Sequence, residues 1–261
     1  MNIQLKNSEK ADKFAYIFQH IKSFTEQINI MFEEERIYIQ SMDSARVSIF
    51  EIEIASDWFD IYERTCTGNL CLGINASILY KILNTRDKSQ ELSIKFDEDE
   101  SDKLAIRFAN GSKSIFDKHF AIPLIDLDEQ LMEIPQSDSH AEIAINATNF
   151  ANIISQLKLF GDTIDISCTE EQILLCSDSV ETGKMTVEIS MDDIDEFSIN
   201  DGAELKLSFS LVQLHNICAY HKIAKDVQIK WISDFPMQIL YSIDGGLVNL
   251  RFYLAPKISD D

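Results

Sequence analysis

The side chains of this chain that are best suited to catalysis or metal binding are its cysteines and histidines. Their spacing does not match a catalytic or metal site. No two cysteines form a CxxC pair and their number is odd, so neither a zinc site nor a disulfide framework is expected. We interpret them as reduced thiols used as small hydrophobes. The histidines also lack ligand spacing, since His215 and His221 are six residues apart and do not share a helix face. The ten residues are Cys66, Cys71, Cys168, Cys176, Cys218, His20, His119, His140, His215 and His221.

Acidic clusters and motifs give no catalytic centre. Asp97, Asp99 and Ser101 resemble the start of a calcium-binding loop. The turn glycine and closing glutamate are missing, so the loop is expected to be a solvated turn. The chain has no GxGxxG, GxxxxGK, HExxH or GxSxG pattern. The sequence therefore indicates a protein that is not an enzyme and that needs no metal or cofactor.

Composition favours a folded and very acidic protein. The chain has 261 residues, of which 45% are hydrophobic, and a formal net charge of −21. No run approaches the ~18 apolar residues of a membrane span, and the polar N-terminus does not resemble a secretory signal. We expect a soluble intracellular protein without a membrane partner. The net charge argues against nucleic acid, which attracts lysine and arginine, unless the cations are segregated.

The chain repeats itself at a spacing of about half its length. A shift of 136 residues aligns residues 14–41 with 150–177 without a gap, and a shift of 135 aligns 79–96 with 214–231. Chance agreement of apolar periods is the alternative, but identities at polar positions favour two homologous domains. Those polar identities are Lys22 with Lys158, Glu34 with Glu170, Glu35 with Glu171 and Lys95 with Lys230.

Each half has the same pattern of predicted elements. Apolar residues at helical spacing predict helices over 13–24, 75–84, 148–159 and 209–220, with Asn75 and Asn146 as N-caps. The remaining segments alternate at period two, which predicts strands. The fold class is α+β, with two duplicated sheet-rich domains that each carry two helices on one face. The predicted domains are 1–120 and 139–261, joined by an extended connector over 121–138.

Acidic residues are absent from the four predicted helices. None of the 44 Asp and Glu lies in residues 13–25, 74–86, 146–160 or 205–225. The alternative is that these helices are mostly buried, but this would not explain why the charges that remain are all cationic. A face turned toward nucleic acid explains both observations. The cationic side chains there are Lys13, His20, Lys22, Lys81, Arg86, Lys158, Lys206, His215, His221, Lys222 and Lys225.

Several strings resemble the proliferating cell nuclear antigen family of eukaryotic and viral sliding clamps, and they occur in family order along the whole chain. The tail string and the QSMDS string are the most specific. The strings are Gln40–Ser44 with Val47–Ser48, Leu72–Asn75, Asp126–Asp128, Ile134–Pro135, Gly161–Asp162 and Phe252–Ile258. This resemblance implies a homotrimeric ring that encircles double-stranded DNA, with helices lining the hole.

In the family, such a ring is a processivity factor for DNA polymerase, placed on DNA by an ATP-driven clamp loader. The resemblance implies that Lys22 and Lys81 face DNA, with contributions from Lys13, Arg86, Lys158 and Lys222. Other family basic positions are neutral here, so we expect the ring to encircle DNA more than it binds it. Those neutral positions are Ala15, Tyr16, Asn84, Asn152, Ser155 and Ala219.

The resemblance also implies a docking region for partner proteins. Replication and repair proteins insert a short motif, often a glutamine, an aliphatic residue and paired aromatics, into a pocket beside the connector. Arg46 stands where the family often has histidine, so partner preference is expected to differ. The implied pocket residues are Met42, Val47, Ile49, Met132, Ile134, Pro236, Tyr253, Ala255 and Pro256.

Ring closure in the family pairs an edge strand of one subunit with an edge strand of the next. Here the strands are expected at 115–121 and 177–185. Glu170 replaces the modifiable lysine of the outer face. The resemblance implies a nuclear protein, or one at the viral replication site. The alternatives are a subunit of a heterotrimeric checkpoint clamp, a monomeric polymerase accessory protein, or an acidic scaffold that mimics DNA.

Overall fold

A computed structural model describes residues 1–64, 68, 70–111, 115–128, 130–134, 137–190, 194 and 196–257. Cys66, Pro135 and Ile258, which the sequence analysis names, lie outside them. The chain forms two compact units. The first comprises Met1–Ser44, Glu51–Met132 and Asp244–Val248. The second comprises Ala45–Phe50, Glu133–Ile243 and the described chain from Asn249.

The first unit contains two helices and two groups of strands. Its sheet orders are β5-β1-β7-β8-β9 and β6-β2-β3-β4, and α1 packs against α2. Its elements are β1 Asn2–Leu5, α1 Ser8–Ile21, β2 Gln27–Phe32, β3 Arg36–Met42, β4 Ser48–Ala55 (here from Glu51), β5 Ile61–Glu63, β6 Leu70–Asn75, α2 Ala76–Leu83, β7 Glu91–Lys95, β8 Lys103–Ala109 and β9 Lys118–Pro123.

The second unit also contains two helices and two groups of strands. Its sheet orders are β14-β10-β16-β17-β18 and β13-β12-β11-β15, and α3 packs against α4. Its elements are β10 Ala141–Asn146, α3 Ala147–Leu157, β11 Thr163–Cys168, β12 Gln172–Ser179, β13 Gly183–Ser190, β14 Glu196–Ile199, β15 Leu205–Ser210, α4 Leu211–Cys218, β16 Asp226–Trp231, β17 Met237–Ile243 and β18 Val248–Leu254 (here from Asn249).

The two sheet orders correspond strand by strand, which confirms the predicted duplication. Adding nine to each strand number of the first unit reproduces both orders of the second unit. The helices occupy the same places, since α1 and α3 each follow the first strand of their unit and α2 and α4 each follow the sixth. The α+β fold class with two helices in each unit is therefore confirmed.

Buried apolar residues at helical spacing anchor each helix on its sheet. Phe14, Ile17, Phe18 and Ile21 of α1 are at most 2% exposed, and α3, α2 and α4 bury equivalent stripes. Each such side chain contributes roughly 1.5–3 kcal/mol when it is fully buried. The polar faces of the helices consequently point away from their own core.

Asparagine and serine caps fix where the helices begin. The Asn75 and Asn146 side chains accept hydrogen bonds from the Ile78 and Asn149 amides at 2.9 and 3.0 Å, as predicted. The prediction that the first helix begins at residue 13 was wrong. The Asn7 side chain accepts from the amides of Glu9 and Lys10, so α1 begins at Ser8.

The edge strands also differ from their predicted bounds. The strand predicted over 115–121 is β9, Lys118–Pro123. The segment predicted as one strand over 177–185 contains the end of β12, a turn and the start of β13. The turn forms because the Thr182 amide donates to Ser179 Oγ at 3.2 Å and Gly183 adopts a φ of +85°. The edge strand of that sheet is β13, Gly183–Ser190.

No helix within the described residues is long and apolar enough to span a membrane.

Candidate functional site

Two lysines of the first unit project from the ends of its helices. Lys22 caps the C-terminus of α1, and its Nζ lies 4.3 Å from the centre of the Tyr80 ring. Lys81 is exposed in the last turn of α2. Both positions favour a cation because the helix dipole is negative at this end. The two ammonium groups are therefore available to a phosphate.

Lys13 is held inside the first unit instead. Its Nζ lies 2.6 Å from an Asp244 carboxylate oxygen and 2.9 Å from Glu9, and its side chain is 19% exposed. Burial by itself would lower the pKa of Lys13, but the hydrogen bonds with Asp244 and Glu9 outweigh it and raise that pKa. The other Asp244 oxygen accepts from the Trp58 indole nitrogen at 2.8 Å. Lys13 is thus a structural ion-pair partner.

Arg86 is also occupied by internal contacts. Its side chain is 3% exposed and pairs with Asp12 of α1. The same guanidinium donates to the carbonyls of Gln90 at 2.7 Å and Ser8 at 3.3 Å. Five donors in a fixed plane suit this arrangement. Arg86 ties the start of α1 to the loop after α2, so it is not placed to reach a ligand.

The cations of the second unit lie beside titratable histidines. Lys158 caps the C-terminus of α3, and Lys222 is exposed in the 3-10 turn after α4. Burial and the nearby Lys158 charge lower the pKa of His215. Burial and the Lys222 charge lower the pKa of His221 in the same way. At neutral pH these imidazoles add no charge to the helix surface.

The acid-free character of the helices holds with one correction. Helices α2, α3 and α4 contain no aspartate or glutamate. Because α1 begins at Ser8, it contains Glu9 and Asp12, which the predicted helix excluded. These two acids pair with Lys13 and Arg86 respectively. The described helices therefore present lysines, histidines and neutral polar side chains on their exposed faces, together with the ion-paired Glu9 and Asp12 of α1, whose side chains are 76% and 52% exposed.

The implied docking residues of the second unit lie near one end of its sheet. The Ala255 amide donates to the Val47 carbonyl at 2.9 Å. A short turn joins the neighbouring strands β17 and β18, so Pro236 before β17 and Ala255 after β18 lie at the same end. Val47 and Phe235 are 37% and 39% exposed there. Such partly exposed apolar side chains beside a sheet end suit a peptide anchor.

The tail beyond Ala255 is fixed to the sheet of β15. The Lys257 amide donates to the Ser208 carbonyl at 2.7 Å, and its Nζ donates to Thr163 Oγ1 at 2.5 Å. Four more of the nine implied docking residues are half-buried, namely Ile49, Ile134, Tyr253 and Pro256. Met42 and Met132, the other two members of the set, belong to the first unit.

Beyond residue 124, sequence reasoning did not identify the ties that hold the connector to the first unit at Ile125, Leu127 and Met132. The Ile125 amide donates to the Gly73 carbonyl at 2.9 Å, and Asn29 Nδ2 donates to the Leu127 carbonyl at 3.2 Å. Gln40 donates from Nε2 to the Met132 carbonyl at 3.0 Å and accepts from its amide at 2.7 Å. A glycine inside a strand signals a close backbone approach, so Gly73 was the available clue.

Glu170 has a structural contact at the place where the resemblance implies a modifiable lysine. Its carboxylate accepts a hydrogen bond from the Gly202 amide at 2.7 Å.

Among the described residues there is no group of three or more histidine, cysteine or acidic side chains placed to hold a metal ion. The described cysteines have no disulfide, and burial raises the pKa of Cys168 to about 11.

Two homologous sheet-rich units, each with a pair of packed helices, define the DNA-clamp fold. Comparison with known proteins agrees with this class. The family model "Proliferating cell nuclear antigen, N-terminal domain" matches residues 4–131, and the model for the C-terminal domain matches residues 133–257. The chain belongs to the proliferating cell nuclear antigen family. A relative named proliferating cell nuclear antigen, from Chaetomium thermophilum, is 26% identical over 257 residues, which is 97% of each chain.

Proposed function

We propose that this protein is a homotrimeric DNA sliding clamp. As a closed ring around duplex DNA, it acts as a processivity factor for DNA polymerase and as a docking platform for replication and repair proteins, without enzymatic activity. An ATP-driven loader places it on DNA in the nucleus, or at the viral replication site. The observation that carries the proposal is the acid distribution: in a chain of net charge −21, the exposed helix faces carry only paired acids.

Ring closure is supported by two open sheet edges with different surroundings. In the first unit, β9 is an edge strand of the five-stranded sheet. Two apolar residues near it, Ile78 of α2 and Phe116, are 40% and 84% exposed. In the second unit, β13 is an edge strand of the four-stranded sheet. It lies beside a cleft of about 530 Å³ that is lined by Ile153 and Val187 among others. Pairing β9 of one copy with β13 of the next removes both edges and covers the apolar side chains. A head-to-tail contact of this kind forms a ring when the rotation between subunits closes, and an open filament when it does not.

Solution mass tests the ring directly. Light scattering of the purified chain should give about three times 29.8 kDa. Replacement of Phe116 by aspartate places a charge in the proposed contact and should yield single chains. Leu131→Asp is the matched control, because Leu131 is also an exposed apolar residue of the first unit, at 55%, but lies on the connector. A wild-type mass of one chain would contradict the ring and favour the monomeric accessory protein.

The heterotrimeric checkpoint subunit is the other alternative within the family. Such a subunit would not assemble with itself, so the same measurement separates it from the homotrimer. We favour the homotrimer because the chain carries the docking residues and the tail string of the replication clamp.

Topology rather than affinity is proposed to hold the ring on DNA. We assign the DNA-facing role to Lys22, Lys81, Lys158 and Lys222, and exclude Lys13 and Arg86 because they are engaged internally. Four phosphate contacts in each subunit give weak, salt-sensitive binding that permits sliding. Rings loaded on circular DNA should persist, whereas rings on linear DNA should leave through the ends. Equal retention on both substrates would overturn this point.

Partner docking is proposed for the set defined by Met42, Val47, Ile49, Met132, Ile134, Pro236, Tyr253, Ala255 and Pro256, here called the docking set. Truncation of two anchors, Ile134→Ala with Pro256→Ala, should reduce binding of a motif peptide below detection while the mass stays trimeric. Leu159→Ala is the control, since Leu159 is 71% exposed in the second unit and outside the docking set. Unchanged affinity of the double variant would refute the site.

A further inference from the structure

The Gln40 side chain makes an unusual double contact with the connector. Gln40 lies in β3 and is 7% exposed. Its Nε2 donates to the Met132 carbonyl at 3.0 Å, and its Oε1 accepts from the Met132 amide at 2.7 Å. A side-chain amide thus satisfies both backbone groups of one residue, as a neighbouring strand would. The connector is held at Met132 without extending the sheet.

Two other hydrogen bonds hold the connector backbone upstream of Met132, at Ile125 and Leu127. Gly73 approaches Ile125 so closely that a Cβ at residue 73 would lie 2.1 Å from the Ile125 carbonyl oxygen. Asn29 Nδ2 reaches the Leu127 carbonyl at 3.2 Å. Beyond Leu127, the contact from Gln40 is the only hydrogen bond from a side chain to the connector backbone that we find in described residues 128 and 130–132. The position of Met132 therefore depends on Gln40.

We propose that Gln40 is a positioning residue for partner docking: it sets peptide affinity by fixing Met132 before the peptide arrives. The inference rests on the proposed function, because Met132 is a member of the docking set. A receptor segment that is already ordered does not lose conformational entropy when it binds its ligand. Loss of the Gln40 contacts would leave the backbone groups of Met132 without these partners, and the peptide would have to order the segment.

Three variants test the inference on the full chain, with a fluorescent synthetic peptide carrying a glutamine, an aliphatic residue and paired aromatics. Gln40→Leu keeps the volume and removes both hydrogen bonds to Met132, together with the long contact to Glu51. Gln90→Leu is the matched control, because Gln90 is also a buried amide of the first unit, bound to Phe116 and Asp87 instead of the connector. We expect Gln40→Leu to weaken peptide binding about tenfold. Gln90→Leu should bind the peptide as the wild type does.

Gln40→Glu supplies a readout that a general loss of stability would not give. Ionised, the new carboxylate repels the Met132 carbonyl; protonated, it has one donor and one acceptor, as the amide does. Gln40 Nε2 is 3.5 Å from Glu51 Oε1. A carboxyl at this distance from a carboxylate has a raised pKa, so protonation begins above its ordinary value near 4.3. Peptide affinity relative to wild type should therefore be lost at pH 8 and largely restored near pH 5.

Hydrogen exchange at the Met132 amide separates the possible outcomes. The inference is supported if Gln40→Leu speeds this exchange by at least about tenfold and weakens the peptide. Faster exchange with unchanged affinity, or a Gln40→Glu variant that does not respond to pH, overturns it while leaving the docking function intact. If wild type itself fails to bind the peptide, the proposed docking function fails, and this inference fails with it.

Discussion

The helix pairs of the two units differ at equivalent positions, although their folds correspond strand by strand. The first unit has cations at four of these positions, and the second unit keeps only one as lysine. The equivalents are Lys13 and Asn149, Lys22 and Lys158, Lys81 and Asn216, and Arg86 and His221. At these four positions the sequence alone gives the first unit three more lysines or arginines than the second.

Internal pairing removes most of this difference. Lys13 is neutralised by Asp244 and Glu9, and Arg86 by Asp12. What remains is two lysines at the helix ends of each unit: Lys22, Lys81 and Lys222 are exposed, and Lys158 is half-buried. Charge on a helix is thus a poor guide to charge available for a ligand. We infer that Lys13 and Arg86, the extra cations of the first unit, stabilise its fold and that the lysines at the helix ends are the ones available to a ligand.

The largest effect is expected from Arg86 compared with its equivalent His221. Arg86→Ala would leave the carbonyls of the buried Gln90 and the half-buried Ser8 without this donor and free the Asp12 carboxylate. Lost hydrogen bonds to a charged group, with partners left buried, cost about 3 kcal/mol. His221→Ala should cost less than about 0.5 kcal/mol, because that side chain is half-exposed. Urea unfolding of both variants measures the difference, and equal costs would show that Arg86 is not structural.

A smaller and pH-dependent effect is expected at Asp244. Burial would raise the pKa of this carboxyl, but hydrogen bonds from Lys13 and Trp58 lower it below its ordinary value. Asp244→Asn removes the ion pair, and we expect a loss of about 1 kcal/mol at neutral pH. Asn149→Ala, at the equivalent of Lys13, is the control and should have little effect.

The sign of the pH dependence follows from the two shifts. The depressed pKa of Asp244 means that its stabilisation is present above about pH 4 and is lost as pH falls through the folded value. The raised pKa of Lys13 means that its stabilisation is present below about pH 10.5 and is lost at higher pH. The gap in unfolding free energy between wild type and Asp244→Asn should be constant from about pH 5 to 10 and shrink outside it. A constant gap at pH 3 would contradict the ion-pair account.

Sequence reasoning predicted the duplication, the four helices and the caps because these depend on local period and polar spacing. Asn75 and Asn146 cap as expected since a cap needs only neighbours within three residues. Sequence reasoning failed where the partner of a side chain is a residue far away in the chain. Nothing in the local sequence shows that Lys13 meets Asp244, 231 positions later. The same limit applies to Gln40 and Met132, which are 92 positions apart.

The bounds of the first helix failed for a local reason. The prediction began at Lys13 because the strongest apolar period starts at Phe14, whereas Asn7 provides an earlier cap. This error placed Glu9 and Asp12 outside the helix and exaggerated its lack of acids. The assigned DNA-facing and docking residues remain proposals, since a ligand contact cannot be read from period or spacing.

A modest effect is expected from the four lysines at the helix ends, and it should be alike in the two units. Lys22→Gln or Lys81→Gln in the first unit, and Lys158→Gln or Lys222→Gln in the second, should each reduce the slope of log affinity against log salt by about 1. Lys13→Gln should leave that slope unchanged, because its charge is compensated by Asp244. Filter binding to duplex DNA across a salt series measures the slopes. A change with Lys13→Gln equal to the others would mean that the internal pair opens on DNA.

The smallest effect is expected from the histidines, which only the second unit has at these positions. Burial, with Lys158 and Lys222 nearby, lowers the pKa of His215 and His221, so both are neutral at pH 7.5. As pH falls through and below the ordinary imidazole range, protonation adds cations to this helix face, and duplex DNA favours the protonated form. The salt slope of wild type should rise between pH 7.5 and 5.5 by at most about 2, one for each imidazole. His215→Gln with His221→Gln should match wild type at pH 7.5 and lack the rise at pH 5.5. A rise that persists in this double variant would place the titrating groups elsewhere and remove the proposed difference between the two helix pairs.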